Sequence, residues 1–125
     1  MELMCTLCEQ MDTRGIVAQW NYWLLLVNYN QNYLGKVMLV LKRHEPDVTA
    51  LSSDEQIEFW SALHVTKEIL VARFQPNHFN YAFLMNQDRH VHLHSIPRYE
   101  VPREFAGVVF TDGQLGEHYQ LTPNW

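Results

Sequence analysis

Apolar and polar positions divide the chain into segments of different period. From Asn21 to Tyr29 an apolar, aromatic-rich run is followed by turn chemistry at Asn30-Gln31-Asn32-Tyr33-Leu34-Gly35, and Lys36 to Leu41 resumes a β-branched and apolar pattern. This predicts an antiparallel hairpin. From Thr49 to Phe74 the period becomes helical, with Ile57, Trp60, Leu63 or His64, Leu70, Val71 and Phe74 recurring along one face. Ser52-Ser53-Asp54-Glu55 supplies a Ser-x-x-Glu capping box, and Pro76 ends the segment, so one long amphipathic helix is expected. Phe79 to Met85 reads as a buried strand, Asn86-Gln87-Asp88 as a tight connection, and His90 to Ile96 as a strand stopped by Pro97. Those two strands should pair antiparallel. Beyond Pro97 the glycines and prolines leave regular structure only at Gly107 to Thr111.

A chain of 125 residues supports one core, so residues 1–125 are expected to form a single domain. Within it, 1–15 and 98–125 form an N-terminal segment and a C-terminal tail. Hydrophobic residues make up 47% and charged residues 18%, which excludes a disordered chain. The longest apolar run, Trp23 to Val27, is strand-sized, far below the roughly 20 residues of a membrane helix. No basic region followed by an apolar stretch opens the chain, which makes the cytoplasm the expected location. Nine Lys and Arg against fourteen Asp and Glu leave a net charge of -5, which argues against binding a nucleic-acid backbone.

The most informative stretch is His90-Val91-His92-Leu93-His94. On a strand the three imidazoles line one surface while Val91 and Leu93 point to the other, a chemical face backed by a structural one. Imidazole acts near neutral pH as nucleophile, proton carrier or metal ligand, and the residues leave these roles open. A single open metal ion on His90, His92 and His94 is one arrangement; a solvated strand edge is another. Cys5-x-x-Cys8 with His44 and His90 makes a second set, two thiolates and two imidazoles of the kind that holds zinc, with a pair of ordinary thiols as the plainer reading.

The stretch Leu34-Gly-Lys-Val-Met-Leu-Val-Leu-Lys-Arg-His44, followed by His90-Val-His-Leu-His-Ser-Ile-Pro-Arg98, resembles the histidine triad family, whose pattern alternates histidine with apolar residues. The resemblance runs from Cys5 to about Arg98. It implies an α+β fold with a five-stranded antiparallel sheet and one long helix, a homodimer, and hydrolysis or transfer of nucleoside monophosphates. By resemblance His92 is the nucleophile that forms a covalent nucleotidyl-histidine, His94 contacts phosphate and leaving group, and His90 joins Cys5, Cys8 and His44 at a structural zinc. The partner is then a nucleotide or nucleotidyl conjugate; a non-catalytic nucleotide-binding or interaction module with the same fold is the alternative.

The chain departs from the family pattern just before the triad. Asn86-Gln87-Asp88-Arg89 precedes His90 with no glycine between, where relatives carry an asparagine and then a Gly-rich loop. Asn86 and Gln87 can still donate to an oxyanion. Asp88 stands where relatives have an apolar residue and would repel phosphate unless Arg89 or an imidazole partners it. Ser95 replaces an apolar residue, and Arg98 either touches phosphate or caps the strand. His64, read on the apolar side of the helix, and His78, in a connection, are expected to be structural, as are Trp20, Tyr22, Trp23, Tyr29 and Tyr33, which could otherwise stack a base.

Overall fold

Two antiparallel layers of contact, one on each face of a single sheet, organise the chain. The structure, a computed structural model, describes residues 5–10, 15–86 and 88–113. Strands β1 (Ile16–Gln19), β2 (Trp23–Val27), β3 (Val37–Leu41), β4 (His78–Ala82) and β5 (His92–Arg98) form a five-stranded antiparallel sheet in the order β1-β2-β3-β5-β4. A short helix α1 (Thr6–Gln10) precedes the sheet, and the long helix α2 (Ser53–Phe74) lies between β3 and β4. The chain closes on a two-stranded hairpin, β6 (Arg103–Phe105) and β7 (Val108–Phe110). None of the described helices is long and apolar enough to cross a membrane.

Helix α2 begins where the capping box places it. The Ser52 hydroxyl accepts from Glu55 N while the Glu55 carboxylate accepts from Ser52 N. Glu55 also takes two hydrogen bonds from Arg43, at 2.8 and 2.9 Å, and this guanidinium pushes its carboxyl down to about 2. A buried acid is tolerated here because it is fully partnered. At the other end Gln75 adopts the left-handed conformation, φ 50°, that stops a helix.

The buried stripe of α2 matches the one read along the sequence only in part: Leu70 is buried and Leu63 and Phe74 pack against the core, but the rest of the stripe is rotated. Phe59, Ala62, Thr66 and Leu70 face the sheet together with Glu55, whereas Ile57 and Trp60 are more than two-thirds exposed, at 69% and 67%, and Val71 and His64 also face solvent. His64 pairs with Glu68 one turn on. Two apolar stripes coexist on this helix, and the sheet takes the one whose polar members are satisfied: Thr66 Oγ1 donates to Ala62 O at 2.8 Å.

The helix-side core joins Trp23, Leu25, Val37, Leu39, Leu41, Val91 and Leu93 to Phe59, Ala62 and Leu70. Trp23 packs against Phe59 with ring centroids 5.0 Å apart and tilted by 55°, and donates its indole N–H to Glu55 O, tying β2 to the first turn of α2. Two further strand expectations are corrected. The segment before the triad is shorter than Phe79–Met85 and half-exposed, because β4 is the sheet edge and begins at His78. Pro97 lies inside β5, opposite Phe79, and does not stop it. Pairing with β3 ends at Val37↔Ser95, so a residue without an N–H breaks no ladder there.

Gly35 controls the entry to β3. Its φ is +85°, and an added Cβ would sit 2.9 Å from Phe74 Cδ2. Gly35→Ala therefore combines a left-handed backbone penalty with a clash against the last residue of α2. We expect it to lower stability by about 1–3 kcal/mol, read as a fall in thermal midpoint.

Candidate functional site

The second face of the sheet carries the chemistry. Leu24 lies opposite Val40 and Val40 opposite His92; one row on, Leu26, Met38 and His94 repeat the arrangement. The alternation read from the sequence therefore holds: Val91 and Leu93 enter the helix-side core and the triad takes the other face. All three imidazoles are buried, which excludes a solvated strand edge.

At one end of this face, Leu7 of α1 packs on Leu24, Leu26, Met38 and Val40, with Cys5 and Cys8 beside it. A single helical turn brings the two cysteines together, and Cys8 N donates to Cys5 Sγ at 3.3 Å. Their sulfurs each lie 3.3 Å from His90 Nδ1, Cys8 Sγ is 3.4 Å from His44 Nδ1, and the two Nδ1 atoms are 3.3 Å apart. All four ligand atoms fall within 4.8 Å of one another and could bind a metal ion. Tetrahedral zinc with sulfur and nitrogen ligands has edges of about 3.3–3.8 Å, so the donor set fits and so do the four distances from His90 and from Cys8 to His44. The distant half of the set, His44 and His90, is brought in by backbone pairing: Val91 N donates to Glu45 O and Leu41 N to Val91 O, locking the end of β3 against the start of the triad.

Which nitrogen of each histidine is free follows from its carbonyl partner. His90 Nε2 contacts Leu41 O at 2.5 Å; a carbonyl only accepts, so the proton is on Nε2 and the Nδ1 lone pair faces the thiols and His44. His92 is the mirror case. Its Nδ1–H donates to His90 O at 2.6 Å, which leaves the lone pair on Nε2, and Nε2 is buried with no hydrogen-bond partner among the described residues. Burial lowers the pKa of His92 and holds the ring neutral. His94 packs edge-on against His92 at 4.8 Å, and burial, then the charges of His92 and Lys36, push it down to about 3.

The remaining expected site residues are less concentrated. Asn86 is exposed at the bend before the triad, and Gln87 lies outside the described residues. Burial lowers the basicity of both His90 and His92, and the charge of Asp88 opposes this without reversing it; among the described residues Asp88 forms no ion pair with either ring. Arg98 is buried and donates to both oxygens of Asp112, at 2.6 and 3.0 Å, and to Asn80 Oδ1 at 2.6 Å, with Tyr33 under its guanidinium at 5.1 Å. It ties β5 to the stretch after β7. Of the aromatic candidates, Trp23 is buried in the helix-side core and Tyr33 in a small cluster with Ile96, while Tyr29 is 66% exposed.

Two residues that sequence reasoning passed over belong to this face. Asn28, one step past Val27↔Val37, is buried, and neither atom of its side-chain amide has a hydrogen-bond partner among the described residues. Lys36 lies across from it, with Asn28 N donating to Lys36 O, and is also buried. The signal was present: Lys36 is in phase with Met38 and Val40, the apolar residues opposite the triad.

No protein-family model and no curated protein matches the chain. Solved structures do. A HIT (histidine triad) family protein from Bacillus anthracis is 25% identical, with 76% of this chain and 73% of that one covered at a TM-score of 0.69. A member of the same family from Bacillus subtilis is 19% identical over 77% and 74%, also at 0.69. The diadenosine triphosphate hydrolase of Plasmodium falciparum, solved with cyclomarin A, is 22% identical over 71% and 64%, at 0.66. Five antiparallel strands and the long helix are where the motif reading and the structural likeness meet; the Cys5, Cys8, His44, His90 cluster is seen in this chain's own structure.

Proposed function

We propose that this chain, which has the histidine triad fold and carries the triad motif, cleaves a nucleotidyl ester, anhydride or phosphoramidate at its α-phosphate through His92. The observation that carries the reading is the Nε2 atom of His92: a neutral imidazole with its proton committed to a carbonyl, and a lone pair buried beside a second histidine.

In the first step the Nε2 lone pair forms a bond to the α-phosphorus, and the bond to the leaving group breaks with its electron pair departing on that group. The ring then carries positive charge, which the His90 carbonyl stabilises through Nδ1–H. His94, one row along, contacts phosphate and leaving group; Asn86 and Gln87 donate to phosphate oxygens. Arg98, paired with Asp112, serves this site by holding the end of β5. In the second step water or another acceptor attacks phosphorus and releases its proton to solvent, and the P–N electrons return to Nε2. Water yields a hydrolase; another acceptor yields a nucleotidyltransferase.

Zinc is the ion we assign to Cys5, Cys8, His44 and His90. Four protein ligands leave no open position, so its contribution is to brace α1 against the triad. A second copy of the chain is the partner we expect, on the family resemblance.

The test is to incubate the protein with dinucleoside polyphosphates, nucleotide sugars and nucleoside phosphoramidates, quench, and weigh it intact. We expect a gain of one nucleoside monophosphoryl group together with release of nucleoside monophosphate. Nucleotide binding with neither adduct nor release would favour the binding module, a reading that Asp88 beside His90 and His92 supports.

A further inference from the structure

We propose that Lys36 is a specificity residue that holds an anionic leaving group, so that the site favours substrates whose α-phosphate is joined to further phosphate over those joined to an amine. The inference rests on the His92 reading and adds a substrate class to it.

Two cationic side chains are buried among the described residues, Lys36 and Arg98. Arg98 has a carboxylate, with Asp112 on two of its nitrogens. Lys36 has none: its Nζ donates to the neutral amide oxygen of Asn32 at 2.6 Å, and no described Asp or Glu comes within 4.0 Å of it. A desolvated ammonium with only a neutral partner is costly, and the cost is recovered when an anion joins it. Burial pushes the amine down to about 8, so it remains mostly protonated at neutral pH.

Its position says which anion. Val40 faces His92 and Met38 faces His94, so Lys36 falls in the next row of the same face, on the far side of His94 from the nucleophile. The charge of Lys36 acts on His94. In displacement at phosphorus the leaving group departs from the side opposite the nucleophile. A leaving group in contact with His94 is thus next to the ammonium, and a terminal phosphate on it supplies the missing counter-charge. An amine leaving group supplies none. Asn28, across from Lys36 with its amide unsatisfied, offers further donors in that row.

The experiment compares wild type with Lys36→Met and Lys36→Gln on a dinucleoside triphosphate and on a nucleoside phosphoramidate of the same nucleoside. Loss of one charge-assisted contact predicts that kcat/KM for the triphosphate falls about 10- to 100-fold, with the phosphoramidate changed by less than about 3-fold. Lys36→Arg should recover part of the loss. Equal losses on both substrates, or no loss on either, would overturn the proposal; a thermal melt of each variant shows that the comparison is between folded proteins. A second arm needs no turnover: in a His92→Ala background, Lys36→Met should weaken ADP binding about 10-fold and leave AMP binding unchanged. If wild type released nothing from any substrate, the His92 reading would fail, and the ADP-to-AMP comparison would still decide the role of Lys36.

Discussion

Alanine in place of His92 should reduce nucleoside monophosphate release by at least about 10³-fold and abolish the covalent adduct, while the protein stays folded and keeps its metal. The loss is large because no other group can take over. His94 stands edge-on to His92 and is in contact with it, but the ring whose proton is fixed by a backbone carbonyl, with the opposite nitrogen unpartnered, is His92. His90 cannot substitute either. Its Nε2 donates to Leu41 O and its Nδ1 faces Cys5, Cys8 and His44. The same geometry weighs against one open metal shared by all three histidines, since His90 has no nitrogen left to give. Folding should survive, because the imidazole contributes one hydrogen bond, to His90 O, and its removal orphans a single acceptor at a cost of about 1–3 kcal/mol. Metal analysis and a thermal melt on the variant, run beside the activity assay, separate a lost nucleophile from a lost fold. Residual release within tenfold of wild type would sink the nucleotidyl-histidine mechanism.

What the sequence shows of this molecule is mainly what local chemistry controls. The capping box at Ser52 and Glu55 sets the start of α2 regardless of tertiary context, and strict alternation from His90 to His94 separates chemical from structural face without knowledge of the neighbouring strands. Illegible features depend on what lies opposite. Ile57, Trp60 and Val71 share helical spacing with Leu70, but only the sheet decides that Phe59 and Ala62 turn inward beside Leu70 while those three face outward. Pro97 reads as a strand terminator until it is seen that β3 has already ended at its level. Lys36 and Asn28 illustrate the same limit within the site: each looks like a polar residue beside a turn, and each becomes a buried group on the triad face only through register with β5 and β2. The four metal ligands come from segments as far apart as Cys5 and His90, so spacing indicates a zinc-type set while the fold alone shows the atoms converging.

Removing the metal, by chelation or by Cys8→Ser, should cost about 3 kcal/mol or more of stability and lower the thermal midpoint by roughly 10–15 °C. A metal held by these four residues would cross-link three parts of the chain that are remote in sequence: α1, the end of β3 through His44, and the start of the triad through His90. Without it α1, five residues long, is left with the packing of Leu7 on Leu24, Leu26, Met38 and Val40, too little to order a helix that short. The ligand atoms, all within 4.8 Å of one another, would also lack the charge that draws them together. Backbone amides of α1 should then exchange with solvent while those of β3 and β5 remain protected. Turnover distinguishes a brace from a catalyst. Because four protein ligands close the site, chelation should reduce activity only as far as it reduces the folded fraction, and at a temperature where the metal-free protein is still folded the His92-dependent rate should stay within about threefold of the metal-bound rate. Activity lost at once, with melting and exchange unchanged, would instead place the metal in the chemistry and reopen the assignment of the nucleophile.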